Sequence, residues 1–252
     1  MRFACISDLH LSSSFGGASG HEWLDEFLAQ LGNDGDVDHL VVAGDITGTF
    51  GLPHKNTDLE TFRSLLQSHG WYDGRHASAV PGNHDNRVFG VGPQTRSSAQ
   101  FRAALSAVHN NTRGPYQHPF YKLLPGVALV GLDTTSQALH LIDDGELGEQ
   151  QLDELDRILA MKALRNRHVI VAMHHPPWRS EGLSDAPDFW DIVDSDRVDL
   201  VVCGHLHESF EEQKRGVPVV GVGGFMETDG YALLVDADGE GLLSYQWWSP
   251  WP

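Results

Sequence analysis

Five short segments of the sequence carry side chains of the types that bind metal ions. They are Asp8-Leu9-His10, Gly44-Asp45, Gly82-Asn83-His84-Asp85, His174-His175 and Gly204-His205-Leu206-His207. Carboxylate, imidazole and amide oxygen donors without a thiolate suit Mn, Fe, Zn, Co or Ni, and they argue against a structural cysteine–zinc site. All ten Asp, Asn and His residues of these segments could supply such an atom: Asp8, His10, Asp45, Asn83, His84, Asp85, His174, His175, His205 and His207.

Each segment follows a short apolar run with the composition of a buried strand. The five runs cover residues 3–6, 40–43, 77–80, 169–173 and 200–203, and a sixth run covers 127–132. They are rich in Val, Ile and Leu and are bounded by Gly, Pro or Asp, which is typical of buried strands. In an open α/β sheet, ligands bind beyond the carboxyl ends of the strands. We therefore expect all five segments to meet at one rim.

The spacing within the segments indicates how their side chains could converge. In 8–10 and 205–207, an extended backbone would point both polar side chains to one side and the intervening leucine to the core. Gly44, Gly82 and Gly204 would allow the sharp turns and close approach that a crowded site needs. Both features predict a compact cluster of donors.

Helical patterns alternate with the strand-like runs. They cover residues 22–31, 58–69 and 149–164, and a shorter helix is expected near 96–108. Thr57 and Glu60 form a capping-box signature before the second helix, which would end at Gly70. Residues 217–222, 231–235 and 241–247 are strand-like without a helix between them, which suggests an antiparallel set that closes the fold. The alternation predicts an α/β protein, and we expect residues 1–252 to form one domain.

Composition restricts the partners. The formal charge of −18 over 252 residues repels nucleic-acid backbones and anionic lipid headgroups, but bound cations could still attract a small anionic substrate. No apolar run approaches the length of a membrane span, and the amino-terminal residues lack the apolar core of a signal peptide. Cys5 and Cys203 lie within apolar runs, so we expect buried free thiols and a cytoplasmic location.

Taken together and in order, the five segments resemble the motifs of the calcineurin-like metallophosphoesterases. They span residues 8–207, about four-fifths of the chain. The resemblance implies a four-layer α/β/β/α sandwich of two mixed β-sheets flanked by helices. It also implies two divalent or mixed-valence metal ions, with Mn, Fe or Zn favoured and Co or Ni as alternatives. A hydroxide on these ions would attack the phosphate ester.

The resemblance further divides the residues into roles. It assigns Asp8, His10 and His207 to the first ion, and the second ion to Asn83, His174 and His205. Asp45 would bridge the two ions. His84 would act on the substrate as a catalytic residue, and Asp85 would orient its ring.

The motifs give less information about which residues bind the substrate and about the residues near the ligands. Asn83, His84 and Arg87 are candidate substrate-binding residues, although a surface salt bridge is an equal alternative for Arg87. His175 is expected to pack beside the ligands or to line the mouth of the site. Asp133 follows its strand as the ligands do, but we expect a structural role for it.

Among the branches of the family, the segments 8–11 and 173–177 resemble the bacterial cyclic-nucleotide phosphodiesterases most. Gly48 stands where purple acid phosphatases carry tyrosine, and Ile46-Thr47-Gly48 replaces the Asp-Arg-Gly of protein serine/threonine phosphatases. The expected substrate is a small phosphodiester, with a 3′,5′-cyclic nucleotide as a candidate. A phosphomonoesterase, a non-catalytic binding module and a nuclease are the alternatives, and the acidic charge weakens the last.

Two loops, 11–20 and 86–122, are expected to set specificity, because loops on a rigid scaffold commonly carry recognition. Trp247, Trp248 and Trp251 would form a packing cluster or, if exposed, the interface of a homo-oligomer.

Overall fold

A computed structural model describes most of the chain. The described residues are 1–15, 18–34, 36–48, 52–86, 95–109, 118–135, 144–178, 180–228, 230–237 and 243–249. Along the chain, their strands are β1 (Arg2–Ile6), β2 (Ser14–Phe15), β3 (Ala18–Ser19), β4 (His39–Val42), β5 (Ala77–Ala79), β6 (Phe120–Leu124), β7 (Val127–Gly131), β8 (His168–Ala172), β9 (Leu200–Cys203), β10 (Phe210–Lys214), β11 (Val217–Gly221), β12 (Ala232–Ala237) and β13 (Leu243–Trp248). The helices are α1 (Gly20–Asp34), α2 (Leu52–Ser68), α3 (Asn83–Asn86), α4 (Thr95–Ala104), α5 (Glu149–Leu159) and α6 (Ala186–Ile192), with a 3₁₀ turn at Lys162–Leu164.

Two mixed sheets contain most of the strands. The five-stranded sheet has the order β13-β12-β1-β4-β5, and the six-stranded sheet has the order β10-β11-β9-β8-β7-β6. Strands β1, β4 and β5 are parallel, as are β7, β8, β9 and β11, whereas β12, β13, β6 and β10 pair antiparallel with their neighbours. All five candidate segments follow parallel strands, as the sequence predicted.

Three apolar clusters define the layers. One cluster joins β1 and β4 to α1, α2 and α4 on the outer face of the five-stranded sheet. A second joins β7, β8, β9 and β11 to α5 and α6 on the outer face of the six-stranded sheet. The third lies between the sheets and includes Phe3, Val41, Ile170 and Leu233. The predicted α/β/β/α sandwich is therefore confirmed, while a single domain over residues 1–252 stays a prediction.

Two expectations about the elements were wrong. The late strands do not form one antiparallel set, because β11 pairs parallel with β9 in one sheet while β12 and β13 belong to the other. Apolar periodicity identifies a strand but not its partner. Thr57 is not the cap of α2, because the helix already begins at Leu52. Pro53 lies in its first turn, where a backbone N–H has no partner within the helix, so proline costs no hydrogen bond there.

Two smaller features complete the fold. The capping-box contact occurs at α1, where Glu22 accepts hydrogen bonds from the Ser19 backbone N–H at 2.8 Å and from its hydroxyl at 2.7 Å. Cys5 and Cys203 are buried free thiols, as expected, and burial raises the pKa of Cys5 to about 12. No helix in the described part of the chain has the length and apolar character needed to cross a membrane.

Candidate metal centre

Donor atoms from both sheets converge at the carboxyl ends of the parallel strands. Four triads bring three ligand atoms within 4.8 Å of one another: Asp8/His10/His207, Asp8/Asp45/His174, His10/Asp45/His84 and His174/His175/His205. Segments after β1, β4 and β5 come from one sheet, and those after β8 and β9 come from the other. A carboxylate–imidazole cluster of this kind suits divalent ions.

The first group, Asp8, His10 and His207, is named here the outer half-site. The Nε2 atoms of His10 and His207 are 3.1 Å apart, and His207 Nε2 lies 3.4 Å from Asp8 Oδ1. Asp8 is fully buried, and its Oδ1 has no hydrogen-bond donor among the described residues. Burial raises the pKa of Asp8, against the lowering effect of the surrounding histidines. A cation would fit between these three donors, since it would satisfy the buried oxygen and both ring nitrogens.

The second group, Asn83, His174 and His205, is named the inner half-site. His174 is fully buried, and its Nε2 lies 3.0 Å from Asn83 Oδ1. Its Nδ1 lies 2.8 Å from the carbonyl oxygen of Ala43, which can only accept, so Nδ1 carries the proton and Nε2 faces the site. The His205 ring centroid is 5.2 Å from that of His174.

Asp45 lies between the two half-sites. Its Oδ2 is 3.4 Å from His174 Nε2 and 4.0 Å from His10 Nε2. Burial acts to lower the pKa of His174, but the carboxylates of Asp45 and Asp8 outweigh it and raise that pKa to about 9. The electrostatic potential at the inner half-site is therefore strongly negative, and it attracts a proton or another cation. The predicted bridging role of Asp45 fits this position and stays a prediction.

The backbone reaches these positions in a way that the sequence argument did not anticipate. Five candidate ligands have left-handed backbone, with φ between 42° and 75°: Asp8, His10, Asp45, His205 and His207. The segments 8–10 and 205–207 are therefore not extended, and the expected alternation is wrong as a mechanism. Leu9 does pack in the core, but Leu206 is only half-buried.

Main-chain hydrogen bonds hold the left-handed turns in place. The N–H groups of Asp8 and His10 donate to the carbonyls of Gly44 and Asp45 at 3.1 and 3.0 Å, so the loop after β1 follows the loop after β4. The glycine prediction is confirmed at two close approaches. A Cβ at Gly82 would collide with Asp45, and one at Gly204 would collide with Ser7 and Asp8.

His84 lies at the edge of the cluster, and Asp85 lies beneath it. The His84 backbone N–H donates to Asp45 Oδ1 at 2.8 Å, and its Nε2 is 4.0 Å from Asp45 Oδ2. The Asp85 carboxylate accepts hydrogen bonds from the N–H groups of Thr47 and Gly82, both at 2.9 Å. Asp85 therefore ties the loop after β4 to the loop after β5, and its orientation of the His84 ring stays a prediction.

A pocket of about 260 Å³ opens above the outer half-site. It is lined by His10, Ser13, Gly48, His84, His207, Met226 and Glu227. The loop 11–20 thus contributes Ser13, in agreement with its expected position. Arg87 and much of the loop 86–122 lie outside the described residues, so the candidate role of Arg87 in substrate binding stays a prediction.

Residues 1–209 match the sequence model of the calcineurin-like phosphoesterase family. The chain belongs to this family. A 3′,5′-cyclic-nucleotide phosphodiesterase of Nostoc sp. is 24% identical over 236 residues, which cover 86% of this chain and 76% of that protein. A 3′,5′-cyclic adenosine monophosphate phosphodiesterase of Vibrio vulnificus is 24% identical over 230 residues, covering 85% and 73%. The resemblance to the bacterial cyclic-nucleotide branch is therefore confirmed at low identity.

A crystal structure of a dimetal phosphatase from Danio rerio has the same fold. Its TM-score is 0.69 at 14% identity, and the alignment covers 99% of this chain and 96% of that one. At this identity the likeness establishes only the architecture, which agrees with the two sheets and flanking helices described above.

One feature of this phosphoesterase was missed by sequence reasoning. Glu227 Oε1 lies 3.2 Å from His207 Nδ1, so a carboxylate accepts the proton of one candidate ligand and directs its Nε2 to the site. Gly224 permits the contact, since an added Cβ would collide with Glu227. The glycine pair 223–224 after β11 was the available signal for this contact. His175 packs beside the candidate ligands as expected: it is buried, with Nδ1 2.7 Å from Thr134 Oγ1 and its ring centroid 4.4 Å from that of His205.

Proposed function

We propose that this protein is a dinuclear metal-dependent phosphodiesterase that hydrolyses a small diester, with a 3′,5′-cyclic nucleotide as the leading candidate. The observation that carries the proposal is the convergence of eight carboxylate and imidazole side chains in four overlapping triads, with Asn83 beside His174, next to one open pocket. The names of the two bacterial relatives favour the diester over the monoester.

Each part of the site would have a distinct task. Asp8, His10 and His207 would hold one ion, Asn83, His174 and His205 would hold the other, and Asp45 would contact both. When bound, the two ions would polarise the phosphoryl oxygens and activate water for attack. Mn, Fe or Zn would suit this donor set best, and Co or Ni would also fit.

The remaining residues would act on the substrate directly. The His84 ring lines the pocket and is well situated to neutralise charge on the phosphoryl oxygens or to protonate the leaving oxygen. The Asn83 amide and, from the loop outside the described residues, Arg87 would contact the phosphate. Asp85 would keep His84 in position through the backbone bonds that it accepts.

A substrate comparison on Mn²⁺-loaded protein tests the proposal. We expect a higher kcat/KM for cyclic AMP and bis(p-nitrophenyl) phosphate than for p-nitrophenyl phosphate. Greater monoester efficiency would favour a phosphomonoesterase instead. A protein that binds two ions but hydrolyses none of the three esters would be a binding module. Cleavage of single-stranded DNA would support a nuclease, against the net charge of −18.

A cytoplasmic location and a homo-oligomeric state stay predictions of the sequence. Sedimentation velocity on the purified protein would test the second.

A further inference from the structure

A second groove opens on the surface beside the metal pocket. It is lined by Ser209, Thr228, Tyr231 and Trp247 and has a volume of about 460 Å³. Ser209 directly precedes β10, which is the edge strand of the six-stranded sheet, and Trp247 lies in β13, the edge strand of the other. Thr228 and Tyr231 belong to the segment between β11 and β12. The groove therefore lies where the edges of the two sheets meet, and we name it the edge groove.

The edge groove and the metal pocket are built from the same two stretches of chain. His207 lines the pocket and Ser209 lines the groove, so one stretch passes from one to the other within about 7 Å. Glu227 lines the pocket and its neighbour Thr228 lines the groove. One ligand could therefore occupy both.

The absence of a side chain at Gly223 brings the two hydroxyl-bearing residues together. A Cβ placed there would lie 2.5 Å from Thr228 Cγ2 and 2.9 Å from Ser209 Oγ. Ser209 and Thr228 thus approach the same glycine from two sides. Ser209 supplies a hydroxyl group at one wall of the groove, whereas the Thr228 hydroxyl donates to the Gly224 carbonyl at 2.9 Å and can only accept a further hydrogen bond.

Aromatic rings supply the rest of the lining. Tyr231 is 42% exposed, and within the described part of the chain only Leu123, at 37%, is a comparably exposed large apolar residue. Trp247 is half-buried and packs on the core between the sheets, whereas its neighbour Trp248 packs against α1, with its ring 5.9 Å from that of Phe27. Trp247 is therefore anchored, while Tyr231 offers its ring to solvent.

The chemistry of the edge groove complements a heterocyclic base. Flat aromatic rings stack on the faces of a base, and hydroxyl groups can bond to its polar edge. None of the four lining residues is charged, so the groove has no cation to pair with a phosphate, whereas the neighbouring pocket is lined by three histidines together with Glu227.

We propose that the edge groove binds the base of a nucleotide ester whose phosphate lies in the metal pocket. This rests on the proposed function and deepens it, because it assigns the substrate class to four residues of this chain. The groove would then select nucleotides over phosphodiesters that lack a base.

The test compares cyclic AMP with ribose 3′,5′-cyclic phosphate, which has the same ring phosphate but no base. The quantity measured is the ratio of the two kcat/KM values. In Tyr231→Ala we expect this ratio to fall roughly 5- to 150-fold, as for the loss of one base–aromatic stack. Tyr231→Phe should retain most of the ratio, because it keeps the ring. Leu123→Ala is the matched control at a comparably exposed site on β6, and its ratio should equal that of the wild type.

Each other outcome has a defined meaning. Tyr231→Ala could leave the ratio unchanged, either without effect on kcat/KM or with equal losses on both substrates. Either result would overturn the proposal that the edge groove binds the base, while the phosphodiesterase proposal stands. A change in sedimentation with an unchanged ratio would identify Tyr231 as an interface residue and would also overturn it.

A binding measurement separates the edge groove from the reaction. If the wild type hydrolyses neither cyclic ester, the cyclic-nucleotide candidate fails, and saturation-transfer NMR with adenosine 5′-monophosphate decides the groove alone. We expect saturation of the base protons in the wild type and its loss in Tyr231→Ala. No transfer to the base in the wild type would overturn the groove.

Discussion

The two half-sites of the metal centre are built in different ways. In the inner half-site, His174 is fully buried and is held by the Ala43 main-chain carbonyl and the Asn83 amide. In the outer half-site, the His207 side chain is 38% exposed, and its partner Glu227 is 44% exposed. A buried ligand held by the main chain loses little freedom when an ion binds, whereas an exposed pair must be ordered at that moment. We therefore expect the inner ion to bind more tightly and the outer ion to exchange first.

The largest effect should come from the residue that both half-sites share. Asp45→Ala should abolish hydrolysis and lower the content of both ions, because Asp45 Oδ2 approaches donors of both half-sites. Metal analysis by mass spectrometry and a diester assay measure the two effects. Retention of two ions per chain would refute the bridging role, and with it the idea that the half-sites are coupled.

His84→Ala should reduce the rate by roughly 10²- to 10⁴-fold, since general acid catalysis commonly contributes this much. Because His84 is assigned to the substrate, the variant should keep both ions. Loss of an ion would instead indicate that His84 coordinates metal, and His84 would then belong to the outer half-site. Circular dichroism of the loaded variant controls for misfolding.

Glu227→Gln tests the exposed partner of the outer half-site. The amide can still accept from His207 Nδ1 but lacks the negative charge that strengthens the ligand, so we expect roughly 10- to 100-fold weaker binding of the outer ion. Titration with Mn²⁺ should reveal one weakened and one unchanged site. Equal weakening of both sites would contradict the assignment of Glu227 to the outer half-site alone.

The last expected effect, which should be smallest near pH 9, is a pH dependence of the inner half-site. The pKa of His174 is raised to about 9, so in the metal-free chain an ion must displace its proton at lower pH. Affinity should therefore fall about tenfold for each pH unit below 9. The His207→Ala variant isolates the inner half-site for this titration. An affinity that stays constant between pH 7 and 9 would argue against a protonated His174.

The sequence allowed the donor-bearing segments and their place after parallel strands to be predicted, because residue type and apolar runs indicate both, while the choice of seven ligands rests on the family resemblance and stays a prediction. It did not reveal the left-handed turns at Asp8 and His205, which depend on hydrogen bonds between loops distant in the chain. Glu227 was missed for a similar reason. Its contact with His207 is made through a turn after β11, and no spacing rule connects those positions. The partner of β11 was also unpredictable, since a buried strand has the same composition in either sheet.

The left-handed turns have a thermodynamic consequence for the chain without metal. Five of the seven non-glycine residues with positive φ in the described part of the chain are candidate ligands. Such a conformation costs about 1–2 kcal/mol for each residue other than glycine, and a folded domain is stable by only about 5–15 kcal/mol. The rim should therefore be the first region to open on heating, and ions that bind only the folded state should raise the Tm with their concentration. Amide hydrogen exchange around residues 8–10 and 205–207 should therefore become slower as more metal is bound, and its rate would measure metal occupancy.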